Sequence, residues 1–454
     1  MHVVTPAVLR RPPTDGSPTF APYGTHVPPL DAYDYIEEEW IAVGEEDGRP
    51  YATTLCVRRP RDAARFSGTV IAEPLHVHGI APIWIYTAPY IMRSGHAWVE
   101  ITAQKTTLDM HVKPANPQRY EDLRIEGPDT ADFDPNPNLG NPELSRVFWS
   151  ELERRNGAAG AILAQVGAAL RSPGSPFAEG SVGRIILAGH SQTGSVTTYY
   201  IRDVHHVQRL DDGSPVYDGF FPSGFPFEAF RDVGVPVVQV MSDGDVSLPD
   251  YSFRPGYGGR KYRREDSDKP GDQYRLYELA AVAHMGTRTA PYDDPSLWKA
   301  TFAAEPDVVF GSRMSRLPHF ELFSVGLHHL VEWVAHGTVP PRAERIVVGT
   351  DGYFATDEHG NSRGGVRSVQ LDVPHSTYLA NPPYSDGAPS YLTVGSEEPF
   401  DAPKLGSLYR DKADYVERFD RRLDELVGAG WLLAEDAEDL RREARQVEIP
   451  AQGE

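Results

Sequence analysis

The sequence predicts an α/β protein with a mostly parallel central sheet and helices on both faces of that sheet. Apolar runs such as 185–188 and 235–241 are typical of strands buried on both faces of a parallel sheet. Stretches with helical periodicity, such as 322–334, alternate with these runs along the chain. The chain has 454 residues, of which 40% are hydrophobic, which is enough for one large domain with long insertions. We therefore expect a single domain over 1–454.

The first part of the chain predicts an antiparallel edge followed by a β-α-β step. Partial alternation of polar and apolar residues favours the edge strands, and continuous apolar runs favour the later ones. The elements expected in order are a proline-rich arm (5–29), two strands joined by a turn at 44–48 (33–43 and 51–58), a strand (68–76), a short helix (88–93) and a strand (95–103). The stretch 104–146 is rich in Pro, Asn and Asp, and it is either a lid or a plain surface excursion.

The second part of the chain continues the alternation of strands and helices. A terminal extension, 340–454, is expected to pack on the body. The elements expected before and within it are a helical region (144–170), strands at 217–222, 235–241 and 275–283, a charged glycine-rich loop (251–272), and helices at 322–334 and 416–427.

Charge and composition exclude several classes of function. The net charge of −21 lacks the basic footprint of a nucleic-acid binder and gives no attraction to anionic lipid. The single cysteine, Cys56, allows neither an intramolecular disulfide nor a thiolate metal cluster, and its apolar run predicts a packed core thiol. The N-terminus lacks the features of a signal peptide, and no window reaches the roughly 20 apolar residues of a membrane span. We expect a cytoplasmic protein without a membrane partner.

The stretch 184–194, Arg-Ile-Ile-Leu-Ala-Gly-His-Ser-Gln-Thr-Gly, organises the functional prediction. It is a short apolar strand, a tight turn that carries Ser191, and the start of a helix. This is the context of a nucleophile elbow, in which a strained strand-to-helix turn exposes a serine hydroxyl. The glycine of the common Gly-x-Ser-x-Gly pattern stands one place late, because Thr193 precedes Gly194. The alternative is an ordinary turn without chemistry.

A serine nucleophile needs a base and an acid that orients the base, and two later strands end in such residues. The strand 235–241 runs into Asp243 and Asp245, and we favour Asp245 because it lies further into the loop. The strand 275–283 runs directly into His284, which we predict to be the base. The chain order Ser, Asp, His supports this assignment over the other histidines.

Two backbone amides are candidates for an oxyanion hole. The amide of Gln192 begins the helix after the serine, where the helix dipole favours a developing negative charge. The loop after strand 68–76 is expected to supply the second amide, near His76. His76 and His78 also suggest a zinc site, but no third ligand is placed nearby in sequence, so no metal or other cofactor is predicted.

The chain resembles the α/β-hydrolase superfamily, and more closely the bacterial family described only as alpha/beta hydrolase domain-containing proteins. The similarity is carried by the elbow Gly-His-Ser-Gln-Thr-Gly, which matches a Gly-x-Ser-Gln-Ser/Thr-Gly variant at 189–194. Other similar stretches spread over most of the chain: 35–40, 68–73, 277–280 with His284, and 360–367. The resemblance implies the fold and a Ser-Asp-His triad, but no particular substrate.

We therefore expect a serine hydrolase that cleaves a carboxylic ester of a small or medium-sized organic molecule through an acyl-enzyme. An acyltransferase, or a hydrolase of amides, lactones or thioesters, would use the same triad, and a catalytically silent binding protein is a further alternative. Trp84, Tyr86 and Tyr90 are candidates to line a substrate pocket, with core packing as the other interpretation. The sequence leaves the oligomeric state open.

Overall fold

The computed structural model describes residues 2–12, 16–26, 28–130, 132–134, 147–148, 150–152, 157–178, 180–226, 228–246, 260–287, 314–381 and 394–450. Strands in these ranges fall into one large sheet and two small ones. In chain order they are β1 His2–Val3, β2 Val8–Arg10, β3 Tyr35–Glu46, β4 Arg49–Pro60, β5 Thr69–Pro74, β6 Ala97–Ile101, β7 Arg184–His190, β8 Gln208–Arg209, β9 Gly219–Ser223, β10 Val237–Ser242, β11 Ser267–Lys269, β12 Asp272–Leu279, β13 Ser376–Leu379 and β14 Ser396–Pro399.

Among the described residues, the helices of seven or more residues cover the sheet and build the C-terminal region. They are α1 Pro82–Arg93, α2 Gly157–Leu170, α3 Gln192–Tyr199, α4 His319–His336, α5 Ala402–Leu408, α6 Lys412–Gly428 and α7 Ala434–Ala444. Shorter helical turns lie at Leu30–Tyr33, Ala63–Arg65, Lys105–Thr107, Leu108–Val112, Lys113–Ala115, Tyr200–Val204, Asp243–Val246 and Val369–Asp372.

The large sheet has the strand order β11-β12-β10-β9-β7-β5-β6-β4-β3-β2 in the described part of the chain. The six strands from β12 to β6 are mutually parallel, and β11, β4, β3 and β2 pair antiparallel at the two edges. This arrangement confirms the predicted mostly parallel sheet with N-terminal antiparallel strands. From β5 the chain continues to β6 on one side of the sheet, and it then returns to β7, β9 and β10 on the other side. Open α/β sheets bind ligands in the crevice beside such a reversal, at the carboxyl ends of the strands.

Alternate residues of the central strands enter two separate hydrophobic cores. Ile185 and Leu187 of β7 pack under one face with α2 and α3, while Ile186 and Ala188 pack under the other with α1 and α4. The apolar run of β7 is continuous because both of its faces are covered. Helices on both faces are thus confirmed, and Cys56 of β4 is buried as predicted.

Several predicted boundaries were wrong. Helix α1 begins at Pro82, not at 88, because proline is well accommodated at the first position of a helix. The hairpin between β3 and β4 turns on Asp47 and Gly48 alone, both with positive φ, and not on the five residues 44–48. Strand β12 ends at Leu279, four residues earlier than predicted. Of the predicted helix 144–170, residues 144–146, 149 and 153–156 lie outside the described residues, as does the segment 251–259 of the predicted loop 251–272.

The C-terminal helices have a hydrophobic cluster of their own. Side chains of α6 such as Tyr415, Phe419 and Leu423 form its centre. This cluster is tied to the sheet-covering helices by an ion pair between Arg93 of α1 and Asp436 of α7, with nitrogen and oxygen 2.7 Å apart. Whether 1–454 forms a single domain stays a prediction. Among the described residues, no helix combines the length and apolar character needed to cross a bilayer.

Candidate active site

Ser191 stands between the end of β7 and the start of α3 in a strained backbone conformation. Its φ of 58° and ψ of −121° are rarely adopted by residues other than glycine. The strain is held by backbone hydrogen bonds on both sides. The Ser191 amide donates to the carbonyl of Ser223 at 3.0 Å, and the Ser191 carbonyl accepts from the amide of Ser195 at 3.0 Å. The half-buried Ser191 is therefore presented at the reversal point of the sheet.

The glycines of the elbow allow close packing against the neighbouring strand. A Cβ atom at Gly194 would press against the carbonyl oxygen of Ser223, at the end of β9. This contact explains why glycine is needed at 194. Thr193, where the common pattern has glycine, uses its hydroxyl locally: it accepts from the His190 amide and donates to the His190 carbonyl, both at 2.9 Å. The shifted glycine is thus compatible with a tight elbow.

Asp245 and His284 follow β10 and β12, and their side chains meet at the carboxyl ends of these two parallel strands. Oδ1 of Asp245 is hydrogen-bonded to Nδ1 of His284, and Oδ2 accepts from the Ser242 amide at 2.7 Å. Burial alone would raise the pKa of Asp245, but the adjacent His284 imidazole lowers it below its ordinary value. The carboxylate is therefore kept ionised beside the ring, as is required of a group that orients an imidazole.

Asp243, the alternative acid, points to other partners. Its Oδ2 accepts hydrogen bonds from the Ala281 amide at 3.0 Å and from the hydroxyl of Ser362. Burial raises the pKa of Asp243 to about 6 despite these two donors. The geometry thus favours Asp245 over Asp243 as the partner of His284.

The two predicted oxyanion donors differ in their surroundings. Gln192 is the first residue of α3, so its amide lies outside the helical hydrogen-bond ladder. The amide of His76 donates to the carbonyl of Ile80 at 3.1 Å, within the loop after β5. That amide is directed into its own loop, so the geometry does not support the expected role of His76.

A cluster of rings formed by His190, Tyr86 and His319 lies beside His284, and it was not predicted from the sequence. His190 lies 4.7 Å from His284 between ring centroids, and its Nε2 is 3.1 Å from the His284 carbonyl oxygen. Tyr86 contacts both His190 and His319, with centroids 5.3 and 4.3 Å away. Burial lowers the pKa of His319 to about 3 and that of His190 well below its ordinary value, so both rings are neutral. The position of His190 inside the elbow was the one available signal.

Of the three aromatic residues proposed to line a pocket, only Tyr86 belongs to this cluster of rings. Trp84 packs on Trp98 with ring centroids 4.9 Å apart, and its Nε1 donates to the Thr25 carbonyl. Tyr90 packs edge-on against His96. Core packing, the other interpretation, describes Trp84 and Tyr90.

The sequence raised two further interpretations near this site, a zinc site at His76 and His78, which was not adopted, and a lid at 104–146. His76 and His78 lie side by side, yet within the described ranges no group of three or more His, Cys, Asp or Glu side chains is arranged to hold a metal ion. The start of the stretch 104–146 packs on the loop after β5, where Nε2 of His111 is 2.8 Å from the Val77 carbonyl oxygen. The segment 135–146 lies outside the described residues, and the lid stays a prediction.

The chain was compared with protein-family models, curated proteins and solved structures. A family model described as "Alpha/beta hydrolase domain" matches residues 9–442. No match was found among curated protein sequences. Similar solved structures include LpqC, a poly(3-hydroxybutyrate) depolymerase from Bordetella parapertussis, at 12% identity over 70% of this chain and 96% of that one, with a TM-score of 0.33. Another is a cold-adapted esterase from an Arctic intertidal metagenomic library, at 10% identity over 60% and 90%, with a TM-score of 0.28.

Proposed function

Because this chain belongs to the α/β hydrolase domain family, we propose that it is a serine hydrolase that cleaves carboxylic esters of small or medium-sized organic molecules. The observation that carries the proposal is the pairing of Asp245 with His284 at the sheet edge where Ser191 occupies a strained elbow. The three residues follow in the chain order, and after the strands, that this chemistry requires. The ring of His190, the residue before Ser191, lies 4.7 Å from that of His284 between centroids, which supports the proposal.

In the proposed mechanism Ser191 Oγ attacks the ester carbonyl while His284 accepts the serine proton through Nε2. Nδ1 of His284 faces Asp245, so Nε2 is the nitrogen left for the serine. Asp245 holds the ring in this tautomer and stabilises the imidazolium that forms. The same proton is then delivered to the leaving alcohol, and water attacks the acyl-enzyme in the second half.

The negative charge on the tetrahedral intermediate would be stabilised at the N-terminus of α3. The Gln192 amide is the donor that we assign to this role, since it is free of the helical ladder and adjacent to the nucleophile. The neutral His190 and His319 favour this chemistry as well. A permanent positive charge on either ring would oppose formation of the imidazolium on His284.

The proposal is tested by intact-mass measurement after treatment with a fluorophosphonate, together with turnover of a panel of p-nitrophenyl esters. We expect one adduct on the wild-type protein, none on Ser191→Ala, and loss of ester turnover by about 10⁴-fold or more in that variant. Ser195→Ala is a matched control, because Ser195 is the next serine along the chain and its hydroxyl donates to the Gln192 carbonyl at 2.6 Å. Ester cleavage retained in full by Ser191→Ala would refute the proposal.

A further inference from the structure

Three consecutive residues after β10 bond to the loop that carries His284. Asp243 accepts from the Ala281 amide, Gly244 donates to the Val282 carbonyl at 2.9 Å, and Asp245 holds His284 itself. The approach is close, since a Cβ at Gly244 would lie 2.7 Å from the amide nitrogen of His284. The position of His284 is thus set by the backbone contacts of residues 243 and 244 with 281–284 as well as by the side chain of Asp245.

The loop needs such support because its backbone is strained. Ala281 has a φ of 56°, in the left-handed region that residues with a Cβ seldom adopt. The amide of this strained residue is the one that Asp243 accepts at 3.0 Å. Asp243 thereby stabilises the turn through which the chain passes from β12 to His284.

The C-terminal part of the chain holds Asp243 from the other side. The Ser362 hydroxyl donates to the same carboxylate oxygen that accepts from Ala281. Four residues later, Val366 pairs with the end of β12: its amide donates to the Glu278 carbonyl at 2.7 Å, and its carbonyl accepts from Ala280 at 3.0 Å. Gly365 is required for this pairing, because a Cβ there would lie 2.7 Å from the Glu278 carbonyl oxygen.

We propose that Ser362 and Asp243 are positioning residues for His284, through which the segment 361–366 locks the strained loop 280–284 in its working conformation. This inference rests on the proposed function, since it assigns His284 the role of base. Under this proposal the motif at 360–367 contributes to catalysis by positioning His284, although the motif lies about 80 residues after His284 in sequence.

The test compares Ser362→Ala with the wild-type protein in ester turnover and in the rate of fluorophosphonate labelling. We expect kcat and the labelling rate to fall together by about 10- to 100-fold, with KM changed by less than about twofold, because a displaced base slows chemistry without weakening substrate binding. Ser362→Thr retains the hydroxyl and should recover most of the loss. Amide hydrogen exchange should become faster at 280–284 in Ser362→Ala.

Ser376→Ala is the matched control. Ser376 is another buried serine of the C-terminal region, and its hydroxyl has no hydrogen-bond partner among the described residues. This variant should be labelled at the wild-type rate. If Ser362→Ala fails to fold, Ser362→Cys is measured in its place, because the thiol fills the space of the hydroxyl but is a much weaker hydrogen-bond donor, so a slower labelling rate is still expected.

The outcomes separate the two proposals. Labelling of folded Ser362→Ala, or of its Cys substitute, at the wild-type rate would overturn the positioning role while leaving Ser191 as the nucleophile. A wild-type protein that is not labelled at Ser191 would instead refute the proposed function. An equal loss in Ser376→Ala and Ser362→Ala would also overturn the positioning role, since the loss would then be a general effect of altering this region.

Discussion

Oε1 of Gln192 accepts a hydrogen bond from the amide of Val77 at 3.0 Å, so one side chain joins the helix after the nucleophile to the loop after β5. Its other end, Nε2, donates to Oε1 of Gln104 at 3.0 Å. All of these groups are buried, and buried polar groups are costly when left without partners. The glutamine of the elbow therefore links the start of α3, where we propose that the oxyanion is stabilised, to the loop after β5 and to the segment after β6.

We expect Gln192→Met to lower kcat by about tenfold or more and to destabilise the fold by about 1–3 kcal/mol, because the Val77 amide loses its acceptor. Gln104→Met is the matched control. It removes the partner of Nε2 but leaves the bond to Val77 in place, so its kcat should stay closer to that of the wild type. Steady-state kinetics and urea unfolding of both variants provide the measurement. A larger loss of kcat in Gln104→Met would contradict the prediction.

The two aspartates after β10 should respond differently to the same substitution. Asp245→Asn should lower kcat by about 10³- to 10⁴-fold, since an amide no longer stabilises the imidazolium or fixes the tautomer of His284. Asp243→Asn keeps a carbonyl oxygen for the Ala281 amide, and its loss should stay within about tenfold. The measurement is the kcat of both variants for one ester. Similar losses in the two would show that the structural distinction between these acids has no functional counterpart.

Gly194→Ala should abolish activity and lower the melting temperature. The added Cβ would press against the Ser223 carbonyl oxygen and lie 3.3 Å from Cβ of Phe225, so the elbow would have to move away from β9. Gly428→Ala is the control, because Gly428 ends α6 and, apart from its chain neighbours and its own helix backbone, no described atom lies within 4 Å of the added carbon. Alanine also favours a helix by about 1 kcal/mol. Thermal unfolding and ester turnover are measured together. An active Gly194→Ala variant of normal stability would be the contrary result.

A buried carboxyl in the sheet predicts that stability depends on pH. Burial raises the pKa of Glu100 to about 8, well above the roughly 4.3 of an unfolded glutamate. Between these values the folded state binds more protons than the unfolded state, so stability falls as the pH rises, by at most about 1.4 kcal/mol per pH unit from this group. Urea unfolding at pH 6 and pH 9 should show the loss, and Glu100→Gln should reduce it. A free energy of unfolding that rises over this interval would contradict the assignment.

Much of the fold followed from local pattern, because a strand buried on both faces has a continuous apolar run whatever its neighbours are. The run at 185–188 predicted β7, and the helical stripe at 322–334 predicted the middle of α4. The residues at which strands and helices begin and end were harder to predict from the sequence. The apolar residues 280–283 resemble a strand in sequence, yet β12 ends at Leu279 because the left-handed Ala281 turns the chain toward the loop after β10.

The features of the candidate site can likewise be separated into those encoded locally in the sequence and those that depend on tertiary contacts. By itself the sequence determined the strand-turn-helix segment around Ser191 and the order of the proposed acid and base, since these depend on short segments at strand ends. Only the tertiary structure decided which aspartate faces His284 and that the hydroxyl of Ser362 bonds to the other one, Asp243. Hydrogen bonds between residues 39 to 119 positions apart depend on how loops are brought together, and no local pattern encodes that distance.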